Sequence, residues 1–209
     1  QLGYRGPIHR LASFNLLSRD SLLIHCIHLT EDDYAILKNI SPWVVTNPDS
    51  NENNRVGEMN RQRITKFVIG TDGMSPDILA SLRNYAITAK DAPEPFERLE
   101  RTFWGWSRLV KRNTWGFQGV FAHDEPADIT VLNYKPVTPI HESNIMGHLI
   151  HGAQRSHAYL TMCNGNILWK DGSFSSLNEG LIFNNVRLVA EKLHKRFSSA
   201  KREGFPWWK

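Results

Sequence analysis

The run Phe67-Val-Ile-Gly-Thr-Asp-Gly73 is a short apolar strand that breaks off on an aspartate, and Ser21-Leu-Leu-Ile-His-Cys-Ile-His-Leu29 breaks off on a histidine. Two strands that each present a metal-capable side chain at the C-terminal end suggest the mouth of a barrel enzyme. At such an exit Asp72 can coordinate a divalent cation and accept a proton from a water that the cation has made acidic. His25, as a neutral imidazole, can bind the same cation or hydrogen-bond the oxyanion of a tetrahedral intermediate. Taken alone, each residue also has a plainer role. Asp72 would cap the turn before Ser75-Pro76, and a lone strand-end histidine is more often a satisfied core residue. A metal centre needs about three or four protein ligands, and only two emerge in this way. His28 reads as a packing or capping residue. His148 and His151, in Gly-His-Leu-Ile-His-Gly, have a ligand-like spacing but lie far along the chain and are not assigned as ligands. No Ser-His-Asp order, nucleophile elbow, phosphate loop or dinucleotide fingerprint is found.

The elements that must hold these residues alternate short strands with helices up to about residue 112, the texture of βα units on a parallel sheet. A helix over Ile8 to Leu16 precedes the strand Ser21 to His25. Thr30 is a good N-cap for the next helix, with Glu31, Asp32 and Asp33 in its first turn. Trp43-Val-Val-Thr46 is the second strand, stopped by Asn47-Pro48. The asparagine-rich stretch Asp49 to Asn60 reads as a surface loop, in the position where barrel enzymes keep their chemistry. Phe67 to Thr71 is the third strand. Helices follow from Pro76 to about Lys90 and from Phe96 to Arg112. The texture then changes: Ala127 to Tyr134 is a strand, and Ala158 to Met162 and Asn166 to Trp169 form a hairpin around Asn164-Gly165. Asn178 to about Ser199 is a long amphipathic helix, with Leu181, Val186, Val189, Leu193 and Phe197 on its apolar side. The expected division is a barrel part over 1–115, a β-sandwich segment over 116–175, and a helix and tail over 176–209.

The 209 residues suffice for a real core, and 41% hydrophobic with 22% charged residues is ordinary globular usage. The net charge of +4 is spread out except in the C-terminal helix. Lys192, Lys195, Arg196, Lys201 and Arg202 there read as a solvated face, so neither nucleic acid nor membrane is expected as a partner. Cys26 and Cys163 are the only cysteines; they exclude a disulfide framework and a cysteine-rich zinc site. With no signal peptide or spanning run visible, a cytoplasmic setting is expected. The start at Gln1, with no methionine, suggests a sequence cut from something longer. Phe205-Pro-Trp-Trp-Lys209 is an aromatic tail, read as docking against the chain's own core.

Leu23-Ile-His-Cys-Ile-His-Leu29, Val45-Thr-Asn-Pro-Asp-Ser-Asn51 and Ile69-Gly-Thr-Asp-Gly73, in that order, resemble the metal-dependent amidohydrolases. The most similar branch contains cytosine deaminase, guanine deaminase and the triazine hydrolases. Ala127-Asp-Ile-Thr-Val-Leu-Asn-Tyr134, with Thr138-Pro139 and Asn144, looks like that branch's return into a β-sandwich. Asn53-Asn54-Arg-Val-Gly57, Gly73-Met-Ser-Pro-Asp-Ile-Leu79 and Asn144-Ile-Met-Gly-His148 are similar to the SsnA-type aminohydrolases. The resemblance implies an α/β fold: the last three strands of a (β/α)8 barrel, part of a small β-sandwich, and a C-terminal helix. It implies that Asp72 is a metal ligand that also shuttles the proton. It implies that His25 contacts the substrate or its oxygen, or is itself a ligand. Asn47-Pro48 and the loop to Asn51 would shape the pocket, with no chemical step assigned.

On that basis the expected function is hydrolysis of carbon–nitrogen bonds other than peptides, by deamination of a small nitrogenous substrate with metal-activated water. Zinc is the expected metal, with iron as the other option. The family's His-X-His pair, further histidine and nearby acidic residue have no counterpart in this sequence. Alone, the chain should therefore bind metal weakly and be inactive. Its implied partner is the missing N-terminal half of the barrel, with a homo-oligomer as a further option. The alternatives are a catalytically incomplete remnant or half-barrel interaction module, and a split enzyme whose other half is a separate polypeptide.

Overall fold

The computed structural model describes residues 3–88, 96–110 and 121–202. They fall into two compact units, Gln1–Pro126 with Leu132–Ala158, and Ala127–Val131 with Tyr159–Lys209. The expected aromatic tail and the far ends of two expected helices, at Lys90 and Arg112, lie outside the described residues.

The first unit is built on three parallel strands in the order β1 (Leu22–Ile24), β2 (Trp43–Thr46) and β3 (Phe67–Ile69). The register pairs Leu23 with Val44 and Val45 with Val68. Parallel neighbours need crossovers. The first crossover is α2 (Glu31–Ile40) and the second contains α3 (Pro48–Asn54). All three strands therefore end on the same edge of the sheet. β3 is buried along its whole length and carries the core, where Phe67 meets Tyr85 at a ring-centroid distance of 5.5 Å. α4 (Ile78–Ile87) contributes Leu82 and Tyr85 to this core, and α5 (Phe96–Val110) contributes Leu99. β1 lies at the edge of the sheet and buries only Leu23; Leu22 and Ile24 are 46% and 51% exposed.

Local sequence explains most of the helix ends. Thr30 Oγ1 accepts from Asp33 N–H, and the Asp33 carboxylate accepts from Thr30 N–H at 3.0 Å, a reciprocal capping box. α1 (Pro7–Ser13) starts on Pro7 but has no side-chain cap of its own, because its N-cap residue is Gly6. The fully buried Asp33 supplies the cap from α2: its Oδ1 accepts from His9 N–H at 2.8 Å. α1 ends before Leu16 because the chain turns at Asn15, with φ 55°.

The stretch expected as a surface loop contains a helix instead. α3 runs Pro48–Asn54, started by Pro48 in its first turn with Asp49 beside it, and stopped by Arg55 at φ 54°. It lacks an apolar stripe because tertiary contacts hold it, and its buried residues are Pro48, Ser50 and Asn51.

The second unit is a four-stranded sheet, β4 (Ile129–Leu132), β5 (Ala158–Cys163), β6 (Asn166–Lys170) and β7 (Ser173–Phe174), in that order. β5 and β6 are antiparallel, joined by Asn164 and Gly165 at φ 46° and 77°, as the Asn-Gly turn requires. In the first unit, α6 (Ile145–Gly147) runs into a wider turn over His148–Gly152, which Arg83 ties to α4 by donating to Ile150 O at 2.6 Å. In the second unit α7 (Glu179–Arg202) is the long amphipathic helix, and its apolar residues Leu181, Val186, Val189, Leu193 and Phe197 are exposed. Among the described residues no helix is long and apolar enough to cross a membrane.

Candidate metal-binding and catalytic site

β1 stops at Ile24, and the next two residues, His25 and Cys26, adopt left-handed backbone at φ 69° and 50°. Asp72, after β3, does the same at φ 53°. Non-glycine residues in this region are uncommon and collect at functional sites, where surrounding contacts hold the strain. The two turns bring the side chains together, with His25 Nε2 3.6 Å from Asp72 Oδ2. The pair expected from two separate strand ends is therefore one cluster.

The first turn of α3 grips both members. Ser50 Oγ donates to Asp72 Oδ2 at 2.6 Å, and Asn51 Oδ1 lies 2.9 Å from His25 Nδ1. Gly73 N–H donates to Asp72 Oδ1 at 2.7 Å, and Asn54 Nδ2 donates to Ser50 Oγ at 3.3 Å. The preceding residue, Asp49, anchors this turn to α4 by accepting from Ser81 Oγ and from Asn84 Nδ2, the latter at 2.8 Å. Asn47 is buried at the end of β2, and its amide oxygen occupies the space that a Cβ at position 70 would need, so the strand exit requires Gly70. Asn51 Nδ2 is buried with no hydrogen-bond partner among the described residues.

The electrostatics follow from these contacts. The Ser50 hydroxyl, then the Gly73 N–H, and last the nearby His25 hold the Asp72 carboxyl below its ordinary value, with desolvation opposing them. Cys26, directly after His25, moves the other way: burial first, and the Asp33 carboxylate second, push its thiol up to about 11. Cys26 is thus an inert wall rather than a nucleophile or thiolate ligand. The cluster opens into a cleft of about 590 Å³ with an apolar wall that includes Ile8, Leu11, Leu22, Ile24 and Val56.

His28 is exposed on the rim of this cleft. His148 is occupied elsewhere: Nδ1 lies 2.9 Å from the Tyr134 hydroxyl and Nε2 3.3 Å from Thr138 Oγ1. That leaves no free ring nitrogen for a ligand pair with His151. Among the described residues no three His, Cys, Asp or Glu side chains are grouped to hold a metal ion. His25 and Asp72 therefore offer two donors. Ser50 and Asn51 were missed as holders of the pair; their signal is a Ser-Asn step one residue beyond Asn-Pro at a strand end.

No family model matches the chain. The sequence is 24% identical over 203 residues to a 5-methylthioadenosine/S-adenosylhomocysteine deaminase of Desulfitobacterium hafniense, a match covering 91% of this chain and 45% of that protein. The fold superposes on a zinc-bound adenosine deaminase from Xanthomonas campestris with a TM-score of 0.74, at 19% identity, over 93% of this chain and 47% of that one. The chain's sequence and fold are similar to those of deaminases and hydrolases of the amidohydrolase superfamily. A second solved structure, the zinc complex of the Glu-to-Gln variant of atrazine chlorohydrolase from Arthrobacter aurescens, matches at a TM-score of 0.69 and 16% identity, over 85% of this chain and 42% of that one. The chain spans about half the length of the curated relatives it matches. Its three parallel strands, antiparallel sheet and last helix correspond to the C-terminal part of amidohydrolase barrel proteins.

Proposed function

We propose that this chain supplies one side of the active site of a hydrolase that deaminates a small nitrogenous ring compound, an adenosine-like molecule being the first candidate. The observation that carries the reading is the 3.6 Å approach of His25 Nε2 to Asp72 Oδ2 at the exits of two parallel strands. An imidazole nitrogen and a carboxylate oxygen are the donor chemistry of zinc and of ferrous iron alike. They fit a divalent cation as two of its ligands, and the remaining donors would come from strands that complete the barrel. A cation held there would supply Lewis acidity toward water and substrate.

The chain's own residues do the rest. Ser50 and Gly73 keep Asp72 anionic and fix which oxygen faces His25. Asp72 accepts the proton released as water attacks the amine-bearing carbon, and returns it to the leaving nitrogen. His25 would share the cation through Nε2, the nitrogen that faces Asp72. The apolar wall of the cleft would cover the ring face of the substrate. A chain with only two cysteines among 209 residues suits a reducing, cytoplasmic setting; assembly into a homo-oligomer is part of the same proposal.

The test is ammonia release from adenosine and 5-methylthioadenosine by the polypeptide that contains this chain together with the strands completing its barrel. Asp72→Asn should lower turnover at least about a hundredfold, and near-wild-type turnover would overturn the assignment. A second reading, a non-catalytic half-barrel module, draws on the two-donor count among the described residues. Co-purification with a partner carrying a His-X-His strand would favour a split enzyme over that module.

A further inference from the structure

We infer that Asn51 is a positioning residue that sets the tautomer of His25. A neutral imidazole carries its proton on one nitrogen and a lone pair on the other, and a hydrogen bond at either nitrogen decides which is which. The two nitrogens of His25 are placed unequally. Nδ1 is 2.9 Å from Asn51 Oδ1, a full hydrogen bond, whereas Nε2 stands 3.6 Å from Asp72 Oδ2, beyond hydrogen-bond reach. A carboxamide oxygen only accepts, so the proton sits on Nδ1 and the Nε2 lone pair is left beside the Asp72 carboxylate. The opposite tautomer would point an N–H at Asp72 from 3.6 Å, too far for a full hydrogen bond, and would set two lone pairs against each other at 2.9 Å from Asn51, a larger loss.

Asn51 can impose this choice because it cannot move away. Its side chain is buried at 3% exposure, its backbone N–H donates to Asn47 O at 2.9 Å, and its own carbonyl accepts from Val56 N–H at 3.2 Å. Asp49, two residues before it, ties the same turn to Ser81 and Asn84 of α4. The ring is constrained from its own side as well, by the left-handed backbone at His25. Adjacent residues of one helical turn thus divide the work: Ser50 holds the carboxylate and Asn51 holds the imidazole. The value of a bare Nε2 for a cation rests on the function proposed above, but the tautomer does not.

The experiment is long-range proton–nitrogen NMR on the nitrogen-labelled protein at about pH 8.5, above the usual imidazole range, with His25 assigned from the signal lost in His25→Gln. The expected spectrum has a protonated Nδ1 and an unprotonated Nε2. Asn51→Asp keeps the acceptor and should keep this pattern. Asn51→Leu removes it, and the proton should shift to Nε2 while the other histidine signals stay in place. Asn51→Ala, which leaves space rather than filling it, serves if the leucine variant does not fold. A wild-type His25 protonated on Nε2 would overturn the inference, as would an Nδ1 proton that survives the loss of Asn51. Titration with zinc alone separates this from the functional reading. If the wild type binds zinc, Asn51→Leu should bind it at least about tenfold more weakly, and equal affinity counts against the inference. If the polypeptide with the completed barrel binds no zinc while the Nδ1 pattern holds, the metal reading fails and the tautomer assignment stands.

Discussion

Asp33 is the residue whose removal should be felt furthest from its own position. Its carboxylate accepts Thr30 N–H within α2 and His9 N–H in α1, so a single side chain caps two helices. Asp33→Ala strands both donors in a partly buried setting. Hydrogen bonds to a charged acceptor contribute about 1.5–3 kcal/mol each, so the pair together should be worth about 3 kcal/mol. For an m-value of about 2 kcal/mol per M in urea, the unfolding midpoint should fall by about 1.5 M with m unchanged. Gly6 provides an internal check. A Cβ there would run into the Asp33 carboxyl group, and since Gly6 has φ 177° the penalty of Gly6→Ala is steric rather than conformational. Gly6→Ala should therefore be strongly destabilising in the wild type and much less so in the Asp33→Ala background, a coupling of about 1 kcal/mol or more. A loss below about 1 kcal/mol for Asp33→Ala, or strict additivity of the two changes, would refute the shared-cap account.

Two further outcomes follow from the ionisation behaviour of the site. Asp72 has a folded-state value below the ordinary one, so whatever stability its ionised form contributes is present above the usual carboxylate range and is lost as pH falls through the lowered value. Carbon NMR of the metal-free protein should show the Asp72 carboxyl titrating low, and Ser50→Ala should raise it toward the ordinary value; an unchanged titration would remove Ser50 as the cause. The raised Cys26 thiol and the exposed Cys163 should differ sharply toward iodoacetamide. At about pH 8, Cys163 should alkylate at least about tenfold faster, read by peptide mass spectrometry, and comparable rates would contradict the burial of Cys26.

The strand ends were legible because periodicity and abrupt polarity changes are local. Phe67 to Ile69 is wholly apolar and Asp72 follows it, which is enough to put a carboxylate at an exit. Thr30 with an acidic first turn likewise announces α2, and Asn164-Gly165 announces its hairpin. α3 was not legible. A seven-residue segment with Asn51, Asn53 and Asn54 has no apolar repeat, and it is helical because Asp49 reaches Ser81 and Asn84 some thirty residues on. The roles of Ser50 and Asn51 were hidden for the same reason, since their partners lie on other strands. The order of motifs along the chain carried the family resemblance, whereas the contacts that hold His25 and Asp72 needed coordinates.

The shortness of α3 has a consequence for how the site comes into being. A helix of two turns does not persist in water by itself, and this one draws its support from α4, which must already lie against β3. Ser50 and Asn51 are thus delivered to Asp72 and His25 only once that layer has docked. A half-collapsed chain would carry the same histidine and aspartate unpaired, with little ability to capture stray cations during synthesis. The turn that orients the donors also makes their readiness report on completed folding.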